Sequence, residues 1–169
     1  MNANYVFIGL PTSGKTTIGK QFSEQIQYEF LDTDEMIVNQ EKCSLDGIIQ
    51  AKGIDRFLDI EAEVCRSVNV DRTVISTGGS VIYRDYAMQH LKDEGIIIYL
   101  EIGLDTLQQR LKDAKSRGVA INNHQTLKDL FSERVPLYKK YADFVIPESE
   151  SIEDSISKLI KMHNQVCSE

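Results

Sequence analysis

An apolar run, Tyr5-Val6-Phe7-Ile8, passes directly into Gly9-Leu10-Pro11-Thr12-Ser13-Gly14-Lys15-Thr16 and then into the helix-compatible Thr17-Ile18-Gly19-Lys20-Gln21-Phe22. The middle stretch meets every position of G-x-x-x-x-G-K-[ST], with a strand before it and a helix after it, which predicts a strand-loop-helix unit wrapped around an anion. Gly9 and Gly14 lack a Cβ, so the backbone there can take positive φ and turn successive N–H groups inward. Lys15 is long enough to reach β- and γ-phosphates, the Thr16 hydroxyl suits Mg²⁺, and the following helix N-terminus adds its dipole. Gly9, Pro11, Thr12, Ser13, Gly14, Lys15, Thr16 and Thr17 are therefore read as the binding loop of a nucleoside triphosphate. A plain glycine-bearing turn with a surface lysine accounts for neither the full pattern nor its context. Such a loop specifies phosphate binding and leaves the acceptor of the phosphate open.

The length of 169 residues suits one domain, expected to span residues 1–169. Nineteen basic residues against 26 acidic ones give a net charge of -7, which repels nucleic acid and anionic membrane surfaces. The expected partner is a small molecule, with no nucleic acid and no membrane, and the chain is expected to act as a monomer. Cys43, Cys65 and Cys167 show neither C-x-x-C nor Cys/His metal-ligand spacing, which argues against a disulfide framework or a structural zinc site. The first residues run straight into a strand without a basic and apolar leader pattern, so a cytoplasmic location is expected.

Further β-rich runs at Thr73–Ile75, Ile96–Leu100 and Phe144–Ile146, and a short strand ending at Phe30-Leu31, alternate with segments of helical periodicity. Helices are predicted near residues 15–27, 33–41, 44–51, 55–69, 85–93, 104–113, 126–141 and 152–166. This alternation predicts an α/β fold with a parallel sheet covered on both faces and ligands at the carboxyl ends of the strands. Between Lys112 and Gln125 the chain is polar and without clear periodicity, which fits a surface loop or a lid.

Two further motifs follow strand ends. Asp32-Thr33-Asp34 places two carboxylates where one can face a metal or its water shell and the other a substrate hydroxyl; the plainer reading is a helix N-cap. Ser76-Thr77-Gly78-Gly79-Ser80 allows close backbone approach to a ligand, or is simply a tight turn.

Together with the phosphate loop, these elements resemble the shikimate kinase family. The resemblance is carried by the loop through Gly19, by Asp32-Thr33-Asp34, by Gly53-x-x-x-Phe57-x-x-x-Glu61, by Thr77-Gly78-Gly79, and by Arg134-Val135-Pro136-Leu137-Tyr138, in family order. It implies a three-layer α/β/α P-loop kinase fold with a five-stranded parallel sheet of order 2-3-1-4-5, a substrate-binding segment at about 33–61 and a lid at about 112–125. It implies ATP-dependent, Mg²⁺-requiring transfer of a phosphoryl group to a hydroxyl of a small polyhydroxylated acid. In that picture Lys15, Asp34 and Arg117 are catalytic, Arg110 and Arg117 join the loop at the nucleotide, and Thr16 and Asp32 serve the metal. Asp34, Gly78, Gly79, Ser80, Arg134 and position 58 face the acceptor.

The chain departs from the family pattern at the acceptor end. Leu58 stands where the family carries arginine, Ile54 replaces a glutamate, Ser80 replaces a third glycine and Gly118 replaces a proline. Loss of a charge-assisted contact in a dry pocket costs about 2–5 kcal/mol, so weak shikimate binding or an altered acceptor is expected. Arg56 is a poor substitute, since two residues along a helix turn a side chain by about 200°. Two other readings are a weakly catalytic ATP-binding regulatory module, against which the retained Lys15, Asp34, Arg117 and Arg134 argue, and a nucleoside monophosphate kinase.

Overall fold

Alternation along the first strand decides how the layers form. In β1 (Asn4–Ile8) every residue is buried, with Tyr5 and Phe7 on one side of the sheet and Val6 and Ile8 on the other. A strand apolar on both faces belongs at the centre of a covered parallel sheet. The computed structural model, which describes residues 4–113 and 125–168, places it there.

The remaining elements, in chain order, are α1 (Lys15–Ile26), β2 (Glu29–Asp32), α2 (Thr33–Glu41), α3 (Leu45–Lys52), α4 (Ile54–Arg66) and β3 (Thr73–Ser76). They continue through α5 (Asp85–Glu94), β4 (Gly95–Leu100), α6 (Leu104–Asp113), α7 (Leu127–Tyr141), β5 (Phe144–Ile146) and α8 (Ile152–Ser168). A 3₁₀ turn at Val81–Tyr83, which periodicity does not mark, precedes α5. The five strands are parallel in the order β2-β3-β1-β4-β5, so the expected topology is the observed one. Among the described residues, no helix is long and apolar enough to cross a membrane.

One core cluster packs Val6, Ile8, Ile75, Ile97 and Tyr99 against residues of α4, α5 and α7; the other packs Tyr5, Phe7, Val74, Ile98 and Leu100 against α1 and α8. A third, smaller cluster joins α2, α3 and α4 through Ile37, Ile48, Phe57, Leu58, Ile60 and Val64. That cluster holds the 33–61 segment together beside the sheet.

Local chemistry sets the helix starts. Thr126 accepts from the Asp129 N–H at 3.1 Å while the Asp129 carboxylate accepts from the Thr126 N–H at 2.9 Å, a reciprocal capping box. Ser44 caps α3 by accepting from Gly47 N–H at 3.1 Å. Parallel register then brings the motifs to one edge of the sheet. Phe7 of β1 and Asp32 of β2 both pair with Ser76 of β3, so the three loops that follow leave from the same level.

Candidate active site

The phosphate loop has the backbone its glycines predict. Gly9 has φ of 152° and Gly14 of 93°, and Thr12 also lies in the left-handed region at 64°. A Cβ on Gly9 would come within 2.7 Å of the Leu100 carbonyl oxygen, so this position requires glycine for space as well as conformation. Lys15 is folded back over the loop. Its Nζ donates to the carbonyl oxygens of Gly9 at 2.8 Å and Leu10 at 2.9 Å, and to Ser13 Oγ at 3.3 Å. Burial pulls the Lys15 pKa down to about 8, against the opposing charge of Asp34.

Behind the loop, Thr16 Oγ1 donates to Asp32 Oδ2 at 2.8 Å and lies 3.5 Å from Ser76 Oγ. The other oxygen of Asp32 accepts from the Asp34 N–H at 2.9 Å and caps α2. Asp32 is therefore the N-cap of the plainer reading, and its other oxygen stands beside the candidate metal-binding hydroxyl of Thr16. These are hard oxygen donors at the helix N-terminus, a set that fits Mg²⁺, which takes few protein ligands and completes its shell with water and phosphate oxygens.

Asp34 faces the main cavity, of about 680 Å³, which is also lined by Lys15, Phe57, Glu61, Gly78, Gly79, Ser80 and Arg134. Its Oδ1 is buried without a hydrogen-bond partner. Burial, reinforced by the charge of Asp32 and opposed by Lys15, pushes the Asp34 pKa up to about 6. Glu61 is fully buried; Ser80 Oγ donates to its Oε2 at 2.7 Å, while Oε1 has no partner. Burial and then the charge of Asp34 push the Glu61 pKa up to about 8. A Cβ at Gly78 would lie 2.0 Å from Glu61 Oε1 and 2.9 Å from Asp34 Oδ1, so a side chain there would have to displace both carboxyl groups.

Arg134 is 1% exposed and reaches this cavity from α7. Its Nε donates to the Tyr83 hydroxyl at 3.2 Å, and its Cζ lies 5.2 Å from the centre of the Tyr83 ring. Tyr83 in turn donates to the Glu133 carboxylate. One turn beyond Arg134, Tyr138 donates to the Gly79 carbonyl oxygen at 2.5 Å.

A second cavity, of about 430 Å³, lies on the other side of the loop and shares Thr12, Gly14 and Thr17 with the first. Arg110 lines it and donates to the Thr12 carbonyl oxygen at 2.8 Å. The opposite wall is the segment from Ile146 to Ile152, where Glu148 accepts from the Gly103 N–H at 2.8 Å.

Most of the residues expected at the site come together around these two cavities. Gly9 lines neither, and Asp32 sits one hydrogen bond behind Thr16. Leu58 requires a correction. It is 8% exposed, packs into the α2–α4 cluster and does not line the main cavity; its apolar side chain is more stable among Ile37, Ile48 and Val64 than at a polar wall. Arg56 does point away, pairing with Glu63 at 3.2 Å on the surface. Arg117 and Gly118, with nearly all of the expected lid, lie outside the described residues.

Tyr83 and Tyr138 line neither cavity but bond to two residues that line the first, Arg134 and Gly79. Tyr138 had a signal in the sequence, since it follows Arg134 by four and shares its helix face. Tyr83 had none.

A strand-loop-helix phosphate site on a 2-3-1-4-5 parallel sheet, with a carboxylate and an arginine across the cavity, defines a P-loop phosphotransferase for a small acceptor. Comparison with known proteins narrows the class. The shikimate kinase family model matches residues 11–164, and the chain belongs to the shikimate kinase family. It is 35% identical over 167 residues to a shikimate kinase of Thermodesulfovibrio yellowstonii, covering 96% of each chain, and 32% identical over 164 residues to one of Caldicellulosiruptor bescii, covering 95% of each. Among solved structures, it superposes on a shikimate kinase from Acinetobacter baumannii in complex with shikimate with a TM-score of 0.87, at 28% identity over 96% of this chain and 93% of that one. The shikimate kinase of Aquifex aeolicus gives 0.83 at 28% identity, covering 97% and 98%.

Proposed function

We propose that this chain transfers the γ-phosphoryl group of ATP to a hydroxyl of shikimate, as a single kinase domain. The observation that carries the reading is the meeting of Lys15, Asp34 and Arg134 on the wall of one cavity that adjoins the phosphate loop. Family membership supports the reaction class, and the residues lining the two cavities support the assignment of its parts.

In this reading the nucleotide lies across the loop, with its base in the smaller cavity beside Arg110 and its phosphates over Gly14, Lys15 and Thr16. Lys15 must leave the Gly9 and Leu10 carbonyls to meet the β- and γ-phosphates, exchanging neutral acceptors for charged ones, which bind it more strongly. Thr16 and Asp32 would hold Mg²⁺ and its water shell, and the ion would neutralise charge on the phosphates. The acceptor lies in the larger cavity, its carboxylate against Arg134 and its backbone contacts at Gly78 and Gly79. Asp34 accepts the proton of the attacking hydroxyl as the new P–O bond forms and ADP leaves. Catalysis is then positioning and charge stabilisation, with little covalent work for the protein. Arg117 is assigned to the lid by family resemblance alone.

A coupled assay of ADP release tests the reading. Shikimate-dependent ADP formation is expected, and Lys15→Ala is expected to abolish it. No shikimate-dependent turnover in the parent chain, or undiminished transfer by Lys15→Ala, would sink the assignment. The alternative acceptor raised by Ile54, Leu58 and Ser80 is tested in the same assay by running related hydroxy acids beside shikimate.

A further inference from the structure

We propose, resting on the function just given, that Ser80 is a positioning residue: its hydroxyl fixes one oxygen of Glu61 so that the other meets a hydroxyl of the acceptor. Ser80 departs from the family pattern, which has glycine at this place. Ser80 Oγ donates to Glu61 Oε2 at 2.7 Å, and the two residues are 5% and 1% exposed. The second carboxyl oxygen, Oε1, is buried, has no hydrogen-bond partner and lies against Gly78 at the cavity wall. Asp34 Oδ1, also without a partner, borders the same face of Gly78.

A buried carboxyl oxygen left unpaired costs stability, so a fold that keeps two of them side by side at a cavity wall is suited to a ligand that brings hydroxyls, which donate to a carboxylate and accept from a protonated carboxyl. Neighbouring hydroxyls on one ring are such groups. Asp34 takes the reacting hydroxyl and Glu61 the one beside it. Without the Ser80 hydroxyl, the Glu61 carboxyl loses a bond that fixes its rotation, and its ordering must come from the binding energy of the acceptor.

Steady-state kinetics of the whole chain with shikimate and ATP would compare the parent with Ser80→Ala and Ser80→Thr. The alanine variant is expected to raise KM for shikimate about tenfold while KM for ATP stays within about twofold. The threonine variant keeps the hydroxyl and is expected to recover most of the loss. Unchanged shikimate KM in Ser80→Ala, in protein that melts as the parent does, overturns the proposal, and so does a threonine variant as impaired as the alanine one.

A carbon-13 titration of the Glu61 carboxyl, assigned through Glu61→Gln, reads the same contact without turnover. The Ser80 hydrogen bond favours the charged carboxylate, so its removal should raise the midpoint, with Asp34, Lys15, Arg134 and Cys65 as the unchanged neighbouring groups. An unmoved midpoint overturns the proposal. If the parent chain turns over no shikimate, the proposed function fails, and the Ser80 assignment then stands or falls on this titration.

Discussion

Thr16 Oγ1 and Asp32 Oδ2 are joined by a 2.8 Å hydrogen bond that links the N-terminus of α1 to the end of β2. The same carboxylate caps α2 with its other oxygen, so the cap and the metal support assigned to Asp32 in the proposed function fall on separate atoms. Asp32→Asn keeps an oxygen for the cap but loses the charge. It is expected to stay within about 1 kcal/mol of the parent in stability and to raise the Mg²⁺ concentration for half-maximal rate at least about tenfold. Asp32→Ala should add a cap loss of about 1 kcal/mol. Magnesium titrations and thermal melts separate the two effects. An asparagine variant with the parent's Mg²⁺ requirement would remove Asp32 from the metal site.

The rate should follow a bell-shaped pH profile. In the proposed function Asp34 must be ionised to take the hydroxyl proton, and burial with the Asp32 charge raises its pKa to about 6. Lys15 must be protonated to hold phosphate, and burial lowers its pKa to about 8. In the free enzyme kcat/KM should therefore be highest between these values and fall by about tenfold per pH unit outside them. Asp34→Asn should remove the acid limb together with most of the rate. A profile flat from pH 5 to 8 is the contrary result.

In the proposed function Asp34 also trades stability for activity. In the folded chain its carboxyl holds a proton up to about pH 6, against the ordinary value of 3.8, so ionisation costs folding free energy. The sign follows directly: the penalty is absent below the unfolded value, grows as pH rises through the window from 3.8 to about 6, and is complete above it. Asp34→Asn is expected to stabilise the protein at pH 7.5 by about 1–3 kcal/mol while losing most of the turnover, and the gain should vanish near pH 4. Denaturant unfolding at the two pH values measures this. A variant no more stable than the parent at pH 7.5 would show that Asp34 is relaxed in the fold.

Leu58 marks the limit of what the sequence could tell. The strand-helix alternation, the phosphate loop and the placing of Asp34, Gly78 and Gly79 at the carboxyl ends of strands were legible because each depends on local pattern and on the geometry of parallel strands, whereas the strand order came only with the family resemblance. Whether position 58 faces the cavity depends on how α4 rolls against α2 and α3, and one sequence carries no direct record of that rotation. The Ser80–Glu61 bond was illegible for the same reason, being a contact between a loop and a helix 19 residues apart.

The burial of Leu58 leads to its own prediction. Leu58→Ala should cost about 2–4 kcal/mol by opening a void among Ile37, Ile48, Ile60 and Val64, and should leave shikimate KM within about twofold of the parent. Melting curves and saturation kinetics give the two numbers. A large KM change without loss of stability would return Leu58 to the acceptor wall.

Tyr138 links the core to the loop at Gly79. It is 0% exposed, its ring lies 5.1 Å from that of Tyr99 at 21°, and its hydroxyl donates to the Gly79 carbonyl oxygen at 2.5 Å. Burial raises its pKa, so the phenol stays protonated and remains a donor. Tyr138→Phe keeps the stack and deletes the donor, whereas Tyr138→Ala deletes both. The phenylalanine variant is expected to lose about 1 kcal/mol of stability, and the alanine variant about 3–5 kcal/mol. If the hydroxyl sets the position of Gly79, Tyr138→Phe should also raise shikimate KM severalfold and leave KM for ATP alone, because the phosphate loop makes no hydrogen bond to Tyr138 among the described residues. If the ring alone matters, Tyr138→Phe will match the parent in shikimate KM while Tyr138→Ala loses both stability and turnover.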